Sequence, residues 1–358
     1  MRAEEATTVI ASEEIRRVCE VVLVGHGVPE ADAATVADNL VEADLRGVDS
    51  HGCHLLTLYV DRLVSGHLRP TTDVTVVRDE GSTVHLDGGL GFGQVAGLAA
   101  VDLAVERALE HGTAAVAVRE STHLGALAYY TQRAAERGCL TIAVQNGPTI
   151  VPPFGGVTQM LSTNPISYAV PTADEPTLVY DVATTTVAGN RILLAKKRGD
   201  AQLPDGWAND AQGRPTTDTD AASVAHMQWF GGHKGYGIAL LVEVLAGVLA
   251  DSCYGRTENS ASEAVGRQRI AKGYLFLTLD VNRFLPVDDF RSRVDALIAD
   301  IHASEPAVDF DGVLVPGELE HRRRADRLAS GVPMSTALVA ELDRLARAVG
   351  GEPLAALG

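Results

Sequence analysis

The chain has 358 residues, enough for a substantial core in one large domain or two smaller ones. Its formal net charge of −17 argues against nucleic acid or an anionic membrane surface as the main partner. Any phosphate or carboxylate ligand then has to be held by a few local cations and backbone amides. The composition, 46% hydrophobic and 22% charged, is that of an ordinary soluble globular protein. The acidic start, MRAEEATTVIASEEI, has no apolar core of the kind a secretory signal carries. Cys19, Cys53, Cys139 and Cys253 lie far apart with no C-x-x-C pair, so free thiols in a reducing cytoplasm are expected.

Residues 12–68 read as helices, with apolar residues at three- and four-residue spacing in "SEEIRRVCEVVLV", "EADAATVADNLVEADL" and "LLTLYVDRLV". The stretch "RGVDSHGCH" separates the second from the third. It packs an arginine, an aspartate, two histidines and a cysteine into Arg46–His54, with Ser50 placed to cap the third helix and His51 in its first turn. From about Thr71 short β-rich runs alternate with helices: "STVHLD", "TAAVAVR", "LTIAVQN", "ISYAVP" and "TLVYDVA" read as strands. Strand–helix–strand alternation predicts an α/β fold whose sheet contains parallel strands. Residues 199–221 are polar and turn-rich, and predict a surface hairpin or loop. The stretch "GIALLVEVLAGVLA" from Gly237 is too short to span a bilayer, contains Glu243, and predicts a buried helix. The strand "YLFLTLD" and a helical tail complete the chain. Helical segments 1–70 and 286–358 are expected to pack together around a central α/β domain, 71–285.

Four places carry unusual polar residues. "DGGLGFGQVAG" leads into a helix and resembles a dinucleotide-binding glycine loop, with Glu120 as the acidic residue such a motif wants after the next strand. Its spacing is G-x-G-x-x-x-G, and a turn that lets strand and helix pack tightly explains it equally. Three predicted strands end in polar residues, at His123, at Asn146 and around Asp181, where ligands of open α/β sheets sit. His123 reads either as a satisfied structural histidine or as a catalyst. "GGHKGYG" (Gly231 to Gly237) joins glycines, a helix start and Lys234, a setting for a phosphate or merely a flexible helix entry.

Together these segments resemble a known family. "DLRGVDSHG", "STHLGALAYY", "PPFGG", "STNPISYAVP", "DVATT", "GGHKGYG" and "VPGE" occur in the order seen in the type 2 malate/L-lactate dehydrogenases. That family includes ureidoglycolate, sulfolactate and diketogulonate oxidoreductases and a cyclic imine reductase. The resemblance spans nearly the whole chain. It implies a homodimer that binds NAD or NADP on a non-Rossmann α/β sheet, so that the Gly91–Gly97 loop serves packing. It places cofactor contacts on Asn146, on Asp181, Val182 and Ala183, on Lys234 and Gly235, and on Gly317 and Glu318. It makes His51 and His123 the proton-transfer residues, without saying which donates. Reduction of a ketone or imine needs a hydride and a proton, and histidine titrates where it can supply the latter.

One departure bears on the substrate. Four residues beyond the Ser-His-Gly histidine the family usually carries an arginine suited to a substrate carboxylate, and here Leu55 stands there. Either Arg46 or His54, beside Ser50 in the same loop, replaces it, or the substrate has no carboxylate at that point; malate and lactate become poor candidates. Two other readings stay open. A metal-dependent hydrolase would use His51, Cys53 and His54, although their spacing matches no established zinc motif and no metal ligand is assigned. A relative that keeps the cofactor site but has changed or lost its catalysis is the other.

Overall fold

The computed structural model describes residues 7–256 and 271–357. The described residues begin with β1 (Thr7–Ile10), α1 (Ser12–Gly25), α2 (Glu30–Leu45) and α3 (Leu55–Val64). Then come β2 (Thr75–Asp79), β3 (Thr83–Asp87), α4 (Gly93–His111), β4 (Thr113–Ser121), α5 (Ala128–Glu136) and β5 (Cys139–Gln145). Next are β6 (Ile166–Val170), β7 (Leu178–Val182), α6 (Gly189–Arg198), the hairpin β8 (Ala208–Asn209) and β9 (Pro215–Thr216), and α7 (His233–Glu243). The described chain closes with β10 (Lys272–Asp280), α8 (Val287–His302), α9 (Glu318–Ser330), β11 (Val332–Ser335) and α10 (Thr336–Ala348).

The apolar periodicity of the first helices does what it predicts. Ile15, Val18, Cys19, Val22 and Leu23 of α1 bury against Val36, Ala37, Leu40 and Val41 of α2. Val332 and Met334 of β11 and Leu342, Leu345 and Ala346 of α10 enter the same cluster. β1 pairs antiparallel with β11, an element the sequence reading lacks because each strand has only four residues. β2 is likewise unforeseen: all five of its residues are exposed, so no alternation marks it.

Among the described residues the main sheet has the order β2-β3-β4-β10-β5-β6-β7. Only β3–β4 is a parallel pair; β10 enters antiparallel between β4 and β5, and β6 and β7 follow antiparallel. The expected parallel strands are present in the β3–β4 pair, while β10 returns from beyond α7 and slots between β4 and β5, two strands of common direction. That direction survives in β3, β4, β5 and β7, so the polar ends of β4, β5 and β7 emerge at one edge. Val116, Val118, Tyr274 and Phe276 face α4 and α5 on one side of the sheet. Ala117, Val144 and Leu275 face Val242 and Ala246 on the other.

The helix predicted from Gly237 starts four residues earlier, at His233, and continues from α7 as a π-helical turn, Val244–Leu249. It is not buried all round. Ala239, Val242, Glu243 and Ala246 are buried, while Leu240, Leu241, Val244, Val248 and Leu249 stay 45–60% exposed. Residues 199–221 form a polar excursion around the β8–β9 hairpin, as predicted.

Candidate active site

His123 lies in the segment between β4 and α5, and three neighbours fix its backbone. The Gln145 side chain at the end of β5 accepts from the Leu124 N–H (3.4 Å) and donates to the Thr122 carbonyl (3.2 Å). The start of α4 presses from behind: a Cβ on Gly93 would lie 2.4 Å from the His123 carbonyl oxygen. Close approach is therefore what this glycine supplies, and Gly97 packs on Leu124 and Tyr130 in the same way. The Gly93 N–H donates to Thr122 Oγ1 at 2.9 Å.

The ring of His123 is oriented as firmly as its backbone. Nδ1 accepts from the Gly125 N–H at 3.3 Å and lies 3.2 Å from the Tyr59 hydroxyl. Tyr59 is itself held by the buried Gln94, whose Nε2 is 2.7 Å away. A backbone N–H can only donate, so Nδ1 carries no proton and the neutral ring is protonated at Nε2. Burial, followed by the repulsion a protonated ring would meet from His51, Arg62, Lys272 and His54, pulls the pKa of His123 down to about 3.

His51 comes from a short 3-10 turn, Asp49–His51. Ser50 does not cap α3. That helix starts at Leu55 after His54, and Ser50 Oγ instead lies 2.9 Å from His51 Nδ1. The turn rests on Asp44 at the end of α2, whose carboxylate accepts from the Cys53 N–H at 2.8 Å. Gly52 leaves room for that carboxylate, since a Cβ there would fall 1.7 Å from Asp44 Oδ1. Burial lifts the Asp44 carboxyl to about 6. His51 stacks on His123 with ring centroids 5.5 Å apart and planes 24° from parallel. Burial, then the charge of His54, lowers its pKa to about 4. Two histidines, 72 positions apart in sequence (123 − 51), thus form one neutral pair at the sheet edge.

The other residues of the loop separate from the pair. Arg46 is buried and donates to Gln132 Oε1 at 2.6 Å, in the field of Glu42, Glu320 and Asp181. It faces α5 and the β7 side. Leu55 packs on the helical core. The Cys53 side chain is fully buried in that core, its thiol pushed well up in pKa by burial and Asp44, so His51, Cys53 and His54 do not converge on one point. The His54 Nδ1 is buried without a hydrogen-bond partner. Among the described residues no three His, Cys, Asp or Glu side chains are grouped to hold a metal ion.

The residues matched to cofactor contacts gather around β7. Asp181 near its end accepts from the Ala128 N–H at 2.7 Å, and burial lifts its carboxyl to about 6. Val182 and Ala183, both partly buried, follow. Beyond them Phe230 N–H donates to the Thr184 carbonyl (3.1 Å), which docks the entry of α7 with exposed Lys234 and buried Gly235 in its first turn. On the outer edge Val179 N–H donates to the Pro316 carbonyl (3.2 Å), placing Gly317 and Glu318 beside the strand. Glu318 binds His302 (3.0 Å) and Arg322. Asn146 stands apart, at the end of β5. Its amide donates to the Cys253 carbonyl (2.6 Å) and accepts from the Gly273 N–H (3.1 Å), so its side chain braces the strand ends.

Tyr59, Gln94, Gln145 and Lys272 are part of this site and absent from the sequence reading. Tyr59 carried a readable signal, since it stands one turn into α3, the helix the His51 loop leads into. Gln94 and Gln145 are neutral amides without a motif. Lys272 is nearly fully buried at the start of β10, in register with Ser121, and its charge acts on His123.

The family described as malate/L-lactate dehydrogenase matches residues 10–343. The malate dehydrogenase of Pyrococcus horikoshii is 35% identical over 345 residues, covering 93% of each chain. The solved sulfolactate dehydrogenase of Methanocaldococcus jannaschii superposes with a TM-score of 0.89 at 33% identity, over 96% of this chain and 98% of that one. The delta1-piperideine-2-carboxylate reductase of Pseudomonas syringae superposes at 0.84 with 28% identity, over 95% and 100%. The histidine pair, the fold and these likenesses agree: the chain belongs to the malate/L-lactate dehydrogenase family and is an oxidoreductase.

Proposed function

We propose that this chain transfers a hydride between a nicotinamide dinucleotide and a small 2-oxo acid, ketone or cyclic imine, with the His51–His123 pair handling the proton. The stacked pair carries the reading. His123 presents a neutral Nε2–H and cannot gain a proton at Nδ1 without opposing the Gly125 N–H, so it holds the substrate oxygen or nitrogen by hydrogen bonding. His51 gives and recovers the proton. Its Nδ1 faces a serine hydroxyl, which accepts from a protonated ring nitrogen and donates to a bare one, so both states of His51 are satisfied.

The donors present suit a dinucleotide. Lys234 sits exposed at the N-terminus of an 11-residue helix, where backbone N–H groups and the helix dipole favour a phosphate. Residues 181–183 and 317–318 lie along the neighbouring strand, and Arg46 belongs with this side. When bound, the nicotinamide supplies or accepts the hydride. The glycines of the Gly91–Gly97 loop are filled by packing, which supports leaving that loop out of the cofactor site.

The charge for a substrate carboxylate falls to Lys272 and Arg62, the cations acting on His123 after its histidine neighbour, because Leu55 offers none. These cations stand elsewhere than the position Leu55 occupies, so a carboxylate would be held differently, and malate and lactate are not expected to be the best substrates. We also propose a homodimer, with a second copy covering the exposed apolar band of α7 and its π turn. Steady-state rates with NADH and NADPH on a panel of 2-oxo acids, neutral ketones and cyclic imines test the reading. Tight cofactor binding with no turnover anywhere on the panel overturns it in favour of a relative with lost catalysis.

A further inference from the structure

α9 differs from every other long helix described. It buries none of its thirteen residues and leaves Leu319 and Leu328 nearly half exposed, so apolar packing does not hold it in place. Polar attachments at its two ends do. At the start, Glu318 accepts from the Val315 N–H (3.2 Å) and binds His302 and Arg322, next to the Pro316 carbonyl that Val179 of β7 bonds. Further along, Arg324 Nε donates to Glu42 Oε1 at 2.7 Å, and the stem of Arg323 lies over Gly47. Arg327 Nη1 donates to Asp49 Oδ1 at 2.7 Å and also to the Asp44 carbonyl. Every partner of the second group lies between positions 42 and 49, in the chain that runs directly into Ser50 and His51.

We infer that α9 is a strap between the β7 edge and the histidine loop, and that Arg327 is a positioning residue which holds His51 against His123. The inference rests on the reading of His51 as the proton-transfer group. Arg327 reaches an acidic side chain and a helix-end carbonyl at once, which fixes both the end of α2 and the turn that follows it. The pair joins a mostly buried arginine, 17% of its side chain accessible, to an exposed Asp49 at 66%, so the Asp49 arm adds little to global stability. Its effect is local. Releasing it frees the turn 46–52 while the helical core of α1, α2 and α10 stays packed, and a displacement of about 1 Å at a reacting group can lower turnover on the order of a hundredfold.

The test compares wild type with Arg327→Met, Arg327→Lys and Asp49→Asn. Each is followed by melting temperature, by NADH or NADPH fluorescence titration, by turnover, and by 15N-histidine NMR titration with His51→Asn assigning the resonance. In the folded protein the groups facing the His51 ring are His54 and His123, with Arg62 and Lys272 acting on the latter. The expected result for Arg327→Met is a nearly unchanged melting temperature and cofactor affinity. The His51 midpoint should move back toward about 6.5, and kcat should fall about ten- to a hundredfold. Arg327→Lys should recover part of both. An unmoved His51 midpoint in folded Arg327→Met overturns the inference. If that variant does not fold, Asp49→Asn, which removes only the exposed end of the clasp, decides in its place. If instead His51→Asn keeps full turnover, the proton role fails, and the NMR shift still answers whether Arg327 positions the ring.

Discussion

The two sides of the site are built on opposite plans. On the histidine side the groups that support the pair are bonded inside the protein: Gln145 clasps the His123 backbone, Gly125 and Tyr59 occupy its Nδ1, and Asp44 supports the turn under His51. On the α7 side Lys234 is exposed in the first turn of its helix. The first side is arranged before anything binds. The second offers charge and space to a large anionic ligand. Preorganisation belongs where a proton moves over a fraction of an ångström, and openness where a dinucleotide has to enter and leave.

The comparison breaks most visibly at the histidines. Replacing either His51 or His123 by asparagine should lower kcat by about two to four powers of ten, with cofactor affinity little changed. The two should differ in kind. Loss of His51 should remove the ionisation that governs kcat from its pH profile, whereas loss of His123 should lower the plateau and leave the profile in place. Identical profiles in both variants would refute the division of labour between them.

A smaller effect is expected at Lys272. Lys272→Met should raise KM for 2-oxo acids about ten- to a hundredfold while sparing neutral ketones, since a charge-assisted hydrogen bond contributes on the order of 1.5–3 kcal/mol. Leu55→Arg should improve 2-oxo acid turnover only if Lys272 leaves part of the carboxylate unpartnered. Equal losses on charged and neutral substrates in Lys272→Met would make the lysine a structural residue. On the open side, Lys234→Ala should weaken NADH or NADPH binding about tenfold, whereas Gly93→Ala should chiefly lower the melting temperature by crowding the His123 carbonyl. Fluorescence titration and thermal melts on the same two variants distinguish these; a reversal would restore the glycine loop as the phosphate site.

What the sequence made legible follows from how locally each feature is specified. The helices of the first 68 residues announce themselves by three- and four-residue apolar spacing, and His51 and His123 stand in short motifs whose order along the chain is informative. The antiparallel insertion of β10 was not legible, because strand neighbours separated by more than a hundred residues leave no periodic trace. Nor were the supports of His123. Gln94 and Gln145 matter through one and two hydrogen bonds across the fold, and a glutamine in a helix or strand carries no local sign of that use. Arg46 misleads for the same reason. It sits five residues before His51 in sequence, yet it lies at the end of α2, where its side chain turns to Gln132 and the acids near β7.

The smallest expected effect is on stability between pH 7 and 5, where buried groups pull in opposite directions. His51 and His123 have folded pKa values near 4 and 3, below the value of about 6.5 for an unfolded histidine. Acidification therefore protonates the unfolded chain first, and their contribution, complete above pH 6.5, is lost as pH falls toward the folded values. Asp44 and Asp181 have folded values near 6, above the ordinary aspartate value of about 3.9. Their cost to the folded state is full above pH 6 and is relieved as pH drops. Each histidine should lose roughly 2 kcal/mol by pH 5 and each aspartate should regain roughly 1 kcal/mol, so the aspartates offset about half of the loss and the wild type is left roughly 2 kcal/mol less stable. Substitution uncovers the halves. Thermal melts at both pH values should show a His51→Asn/His123→Asn protein that gains stability on acidification relative to wild type. An Asp44→Asn/Asp181→Asn protein should lose it. If the histidine variant tracks wild type, the pair is not held neutral, and His123 is then free to donate a proton as well as a hydrogen bond.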